Sequence, residues 1–317
     1  MPAGRRKKKA PPRAANWDTQ PNSGWSLRRR NALSVLEFSG LAGLDWLVHG
    51  FSTRRGGRSQ LPDEPGGEKA EGVLNLGFTE WDDRARVEEN RREFAAAIRA
   101  PKHEMVTLKQ MHSDIVHLVT SKALPIPPGD AMLTRRPGLL LAVQTADCIP
   151  ILLADSRTRA VAAVHSGWRG TLKRIAAKTV GRMRMEFGTR PDDVIAALGP
   201  GIGGCCYQVG PEVAREFAAQ FPLARSWFDG PFDSSAAGEN DPNWLPWLTM
   251  APPGHTPEPR PLHLDLIAAN RAILMEAGLP SRRIFVSGLC TACRTDLFFS
   301  YRKERTTGRL VAAIGIR

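Results

Sequence analysis

The chain lacks any run of about 18 consecutive apolar residues, so its 317 residues offer no membrane-spanning helix. Its first thirty residues lack the apolar core of a secretory leader, and their abundant proline and scarce serine do not suit an organelle-targeting peptide. A cytoplasmic protein is expected. Cysteine is sparse and odd in number: Cys148, Cys205, Cys206, Cys290 and Cys293. Five cysteines placed late in the chain, two of them adjacent, exclude a small disulfide-held scaffold and fit reduced thiols. There are only seven histidines, none in a His-x-His pair, and no internal repeat.

What is present is an uneven charge. Of the formal net charge of +12, residues 1–30 supply nine Lys/Arg against the single acid Asp18. We therefore expect residues 1–32 to form a disordered basic tail, able at most to bind nucleic acid weakly through phosphate contacts. A catalytic domain is expected over residues 33–317. Residues 58–72 and 226–260 are rich in proline, glycine and acids; the first reads as a loop and the second as a surface insertion.

Between these lie short apolar runs, Leu139–Val143, Ile149–Leu153, Ala160–Val164 and Val194–Leu198, each the length of a buried strand. The link from Asp155 to Arg159 is short enough for a hairpin. Helical spacing is expected over 82–100, 170–187, 211–221 and 262–277, with strands at 284–287 and 310–316. Strands interleaved with helices, some in hairpins, predict an α/β fold with mixed sheets in a single domain.

Three segments carry the chemistry: Lys109-Gln110-Met111-His112, Thr145-Ala146-Asp147-Cys148 and His165-Ser166-Gly167-Trp168-Arg169-Gly170. Each sits at the end of an apolar run, where side chains leave the core. His112, Cys148 and His165 are ligand types suited to zinc, and three protein ligands leave the open position of a catalytic site. From the residues alone, two core histidines and an inert buried thiol explain the pattern as well. Cys205-Cys206 is a poor clamp for a metal. Cys290-Thr291-Ala292-Cys293 is a C-x-x-C with no second pair beside it, and both read as structural packing. Gly199–Gly204 lacks the Gly-Lys-Ser/Thr of a phosphate-binding loop and reads as a tight turn.

These segments, with Gly50-Phe51-Ser52-Thr53-Arg54, Asn75-Leu76-Gly77, Gly129-Asp130-Ala131, Leu198-Gly199-Pro200-Gly201-Ile202 and Phe298-Phe299-Ser300-Tyr301-Arg302, resemble the YfiH-like family, also called the laccase-domain or multicopper polyphenol oxidoreductase family. The resemblance runs from about residue 48 to 316. It implies a layered α/β/β/α sandwich, with zinc held by His112, Cys148 and His165. It also implies phosphorolysis of the purine nucleosides adenosine, inosine, guanosine and methylthioadenosine, and in part adenosine deamination.

Zinc suits deamination because it lowers the pKa of a bound water towards neutrality. Phosphorolysis needs phosphate held by cations, for which Arg54 and Arg169 are the candidates, since a guanidinium matches phosphate in two-point contact. Gln110 can bind a purine edge, and Phe51 and Ser52 are placed in the nucleoside pocket. Two alternatives stand beside this reading. One is a copper-dependent polyphenol oxidoreductase, disfavoured by so few histidines. The other is a hydrolase using Cys148 as nucleophile, acting on cell-wall precursors.

Overall fold

The computed structural model describes residues 24–62, 72–122, 126–232 and 261–317. The apolar runs form strands as expected: β8 (Leu139–Thr145), β9 (Ile149–Asp155), β10 (Ala160–Ser166) and β11 (Val194–Leu198). Within each, alternate residues serve different cores. Ile149, Ile151, Leu153, Ala162 and Val164 face one cluster, while Leu152, Ala154, Val161 and Ala163 face another. A strand covered on both faces has no side to give to water, so its sequence reads as an unbroken apolar run.

The order of the remaining elements places these strands in two sheets. The first combines β1 (Trp25–Arg30), β2 (Leu33–Phe38), β3 (Leu47–Ser52), β5 (Glu104–Val106), β8 and β15 (Leu310–Ile316), in the spatial order β1-β2-β3-β15-β8-β5. The second combines β6 (Val116–Leu118), β7 (Ala131–Thr134), β9, β10, β11 and β14 (Ile284–Val286), in the order β14-β11-β9-β10-β7-β6. Both sheets are mixed. β5 pairs with β8 in parallel and β8 with β15 antiparallel, while β11 pairs with β14 in parallel and with β9 antiparallel. The β9–β10 hairpin is the one expected across Asp155–Arg159.

Three cores separate four layers. Leu141, Val143, Ala312 and Ile314 of the first sheet meet Leu152, Ala163 and Ala197 of the second. The outer face of the first sheet, with Val48, Leu140 and Ala142, packs on Phe94, Ala97 and Ile98 at helix α2 (Arg84–Ala97). That of the second packs on α4 (Ile175–Phe187), α5 (Pro211–Gln220) and α6 (Leu266–Glu276). This is the layered α/β/β/α arrangement in one domain. Helix α2 starts where Asp83 accepts backbone hydrogen bonds from Ala85 and Arg86, and Pro211 opens α5.

Four expectations need correction. The tail boundary at residue 32 is too late: Trp25–Arg30 is a strand, paired with β2. It is an edge strand with Arg28 and Arg29 in solvent, and edge strands carry charge that masks their periodicity. Its anchor is the buried Trp25, whose ring lies 5.2 Å from Phe38 and 5.3 Å from Phe51. Residues 1–23 lie outside the described residues.

The loop expected from residue 58 likewise begins later, because β4 (Arg55–Ser59) runs into it. The helix expected over 170–187 is two: α3 (Trp168–Leu172) and α4, separated at Arg174 by a left-handed residue with φ 58°. A break of only two residues, Lys173 and Arg174, leaves the apolar spacing readable as one helix, so periodicity alone does not show it. Finally, residues 226–229 belong to the fold. Trp227 and Phe228 are buried, and β12 (Phe228–Asp229) pairs with β13 (His263–Leu264). Only 233–260 of the expected insertion lie outside the described residues.

Candidate metal centre and cavity

His112, Cys148 and His165 converge although 36 and 17 residues separate them in sequence. Each offers a ligand atom, and those atoms lie within 4.8 Å of one another. The convergence follows from the two sheets. β8 ends the first sheet at Thr145, and the chain crosses to β9 of the second through Asp147 and Cys148. His165 lies on β10, two residues beyond Ala163, and so continues the row facing the space between the sheets; Ser166 faces the helices and bonds Asn270. His112 comes from the loop after β5. The three grade from exposed His112 through half-buried Cys148 to buried His165.

Asp130 ties this geometry together. Its buried carboxylate accepts from the backbone N–H groups of Met111 (3.2 Å), His112 (3.0 Å) and Ser113 (2.6 Å), and from the Ser113 hydroxyl at 2.6 Å. It also accepts from Nδ1 of His165 at 2.8 Å, while its carbonyl accepts the His165 N–H at 2.8 Å. With Nδ1 committed, Nε2 of His165 is turned towards Cys148 and His112, the arrangement in which a carboxylate orients a metal-binding imidazole. Burial opposes ionisation of Asp130. The bonds from His165 and Ser113 outweigh it and hold the carboxyl well below the usual carboxylate range. Asp130 appears in the sequence only as part of a motif, and its burial, the mark of its role, is visible only in the structure.

Two non-glycine residues here adopt left-handed backbone, His112 at φ 60° and Asp147 at φ 93°. Such conformations cost about 1–2 kcal/mol each. Asp130 holds the first. The second is held by the Asp147 carboxylate, which accepts from the Thr291 hydroxyl and from the backbone N–H of Arg302, both at 2.7 Å. Gly167 completes the cradle: a Cβ there would sit 2.8 Å from Cδ2 of His112 and 2.9 Å from Sγ of Cys148.

Burial also opposes ionisation of Cys148, whose sulfur lies 3.7 Å from Nε2 of His112. The charge of His165 and hydrogen bonds from both histidines prevail, and the thiol falls to about 6. For His165, burial is overcome by the Cys148 thiolate and by Asp130, which raise it to about 9. Both shifts favour a thiolate at Cys148 paired with an imidazolium at His165. A soft sulfur, two imidazoles, a carboxylate behind one of them and an exposed side together fit a thiophilic divalent ion with a free coordination position.

The three residues line one wall of a cavity of about 600 Å³, within the usual range for a small-molecule site. Tyr207, Tyr301, Arg302 and Arg309 line it as well. Burial, with the Cys148 charge, pushes the Tyr207 hydroxyl up to about 12, so it stays a donor. Gln110 lines the cavity, but its amide bonds the backbone of Gln144 at both ends, each at 2.7 Å.

Arg54 lies elsewhere. It lines a separate depression with Arg55 and Asp296, pairs with Glu304 at 2.5 Å, donates to the Thr295 carbonyl and covers Phe299. Arg169 is exposed, over the ring of Trp168 at 4.3 Å. Phe51 and Ser52 are buried at a small gap behind Thr145, where the Ser52 hydroxyl accepts from the Val311 N–H.

Comparison with known proteins identifies the family of the chain. A family described as multi-copper polyphenol oxidoreductase laccase matches residues 48–317. A purine nucleoside phosphorylase of Deinococcus radiodurans is 38% identical over 84% of this chain and 88% of its own length. Adenosine deaminase RL5, from an unknown prokaryotic organism, is 34% identical over 81% and 88%. The crystal structure of the Bacillus licheniformis hypothetical protein YfiH superposes with a TM-score of 0.74 at 30% identity, covering 91% of this chain and 98% of that one.

Proposed function

We propose that this chain, which belongs to the multi-copper polyphenol oxidoreductase laccase family, is a zinc-dependent purine nucleoside phosphorylase of the cytoplasm that also deaminates adenosine. The observation that carries the reading is one cavity bordered both by the His112–Cys148–His165 donors and by two arginines, Arg302 and Arg309. Phosphorolysis needs phosphate held by cations and the departing purine stabilised, and a cavity with both arginines and a polarising centre can serve both needs. Adenosine, inosine, guanosine and methylthioadenosine are the proposed substrates.

His112, Cys148 and His165 would hold a divalent ion there, and its chemistry would be Lewis-acid polarisation of the substrate. The remaining work falls to the chain itself. Arg302 and Arg309 replace Arg54 and Arg169 as the proposed phosphate holders, because they face the cavity while Arg54 is spent on Glu304. Arg302 is fixed by donating through Nη1 to the Gln208 carbonyl at 2.6 Å and by lying over the Tyr207 ring. As the bond from ribose C1′ to the base breaks and phosphate oxygen bonds C1′, the negative charge gathering on the purine needs a donor. The Tyr207 hydroxyl, protonated at all physiological pH, can supply one. Gln110 acts by fixing the Gln144–Cys148 turn. A multicopper enzyme is disfavoured because it needs a cluster of imidazoles beyond a two-histidine, one-cysteine site, and among the described residues His112 and His165 are the only imidazoles grouped here, while His49, His103 and His117 bond backbone groups elsewhere.

The zinc-loaded protein incubated with each nucleoside, with and without phosphate, tests this. Adenosine should yield adenine and ribose 1-phosphate only when phosphate is present, and inosine whether or not it is. Absence of phosphate-dependent base release would overturn the phosphorylase reading. A second reading rests on the lowered Cys148 thiol beside His165, the pairing of a thiol hydrolase. Under that reading activity survives complete chelation; under the first it does not.

A further inference from the structure

The other four cysteines, read from the sequence as unconnected packing residues, come together. Cys205 and Cys206 follow the turn that leaves β11, and Cys290 and Cys293 lie in the loop that leaves β14. Those strands pair in parallel, Leu198 opposite Val286, so both loops emerge side by side at the same sheet edge. A further bridge between Gly201 and Cys290 extends the pairing into the loops. The four sulfurs all lie within 4.8 Å of one another. Cys293 Sγ is 3.5 Å from that of Cys205 and 3.4 Å from that of Cys206, and the backbone N–H of Gly203 donates to Cys290 Sγ at 3.2 Å.

These separations are far beyond the roughly 2.05 Å of a disulfide, and all four thiols are free. They do match one tetrahedral ion. Zinc–sulfur bonds of about 2.3 Å place the sulfurs of a tetrathiolate site roughly 3.8 Å apart, a little beyond the 3.4 and 3.5 Å contacts and inside the 4.8 Å that bounds all four. We propose that Cys205, Cys206, Cys290 and Cys293 form a second metal site, a closed tetrathiolate that binds a zinc ion and serves structure rather than catalysis. The C-x-x-C supplies one pair and the adjacent cysteines, aligned by the parallel strands, the other.

The site has a consequence for the cavity. The two loops it joins both clamp Asp147. The Ile202 N–H donates to the Asp147 carbonyl at 2.7 Å, and the Thr291 hydroxyl donates to its carboxylate. Tyr207, next to Cys206, is part of the cavity wall. An ion binding all four sulfurs pins these loops to each other and so holds the turn that presents Cys148.

The test is to load the full chain with Zn²⁺ alone, remove the excess, and count bound zinc by native mass spectrometry. The wild type should hold about two ions per chain, one closed and one open site. Cys148→Ala should keep the tetrathiolate ion. Cys290→Ser/Cys293→Ser should lose that ion while keeping the one at His112, Cys148 and His165. Loss of all zinc in Cys148→Ala, unchanged zinc in the double variant, or a mass showing disulfides among the four would each overturn the proposal. Because the double variant depends on folding, the wild type gives a second measure. The exposed Cys205 and Cys293 should resist iodoacetamide when zinc-loaded and react after chelation. Prompt alkylation of the zinc-loaded chain would overturn the site.

Discussion

The two sulfur-bearing clusters differ in how they are built. His112, Cys148 and His165 project from strand ends and a loop fastened by one buried carboxylate, and they face a cavity. Cys205, Cys206, Cys290 and Cys293 project from two neighbouring loops and face one another. Three donors with an open side suit chemistry, and four that close on a point suit cross-linking. Asp130 is the mark of the first kind, because a site that must present an empty position needs its ligands oriented from behind. The second obtains its shape from the parallel pairing beneath it.

The comparison can be sharpened by pH. Ligation at the cavity needs the Cys148 thiolate and neutral His165. Between about 6 and about 9 the thiolate is already formed while His165 still carries a proton, so binding releases that one proton. Apparent zinc affinity of this site should therefore rise about tenfold per pH unit across that window, and level off above it. Below about 6 Cys148 is protonated too, and the dependence should steepen. Competition against a chromogenic chelator, in the Cys290→Ser/Cys293→Ser background, reads the slope. A flat profile would show that the imidazolium–thiolate pair does not exist.

A smaller effect is expected from Asp130→Asn. Loss of an orienting carboxylate costs about 10–100-fold in metal affinity or activity. The loss should fall on the cavity ion alone, with the tetrathiolate ion retained. Equal weakening of both ions would mean that Asp130 supports the fold rather than the ligand.

Much of this molecule was legible in its sequence. The doubly covered strands β8 to β11 announce themselves because both faces are buried, and α2 does because Asp83 caps it and Val87 and Phe94 line its inner face. The edge strand β1 and the short β4 to β7 do not. Those from β4 to β7 hold five residues or fewer, and in β1 and β4 charge or glycine interrupts the alternation. At the site, the three ligands were found through motif likeness, since spacings of 36 and 17 carry no local signal. Arg302 and Arg309 reach the cavity and Arg54 does not, because a long side chain goes where its ion-pair partner lies, here Glu304. The four-cysteine cluster escaped for a different reason: its halves, 205–206 and 290–293, meet only through the β11–β14 pairing.

The most direct test of the account compares zinc content and phosphate-dependent adenine release in the wild type and in Cys148→Ala. The variant should lose the cavity zinc and, with it, all measurable release of adenine from adenosine. Retention of the full zinc complement together with wild-type turnover would contradict the central claim that His112, Cys148 and His165 hold the ion on which the reaction depends.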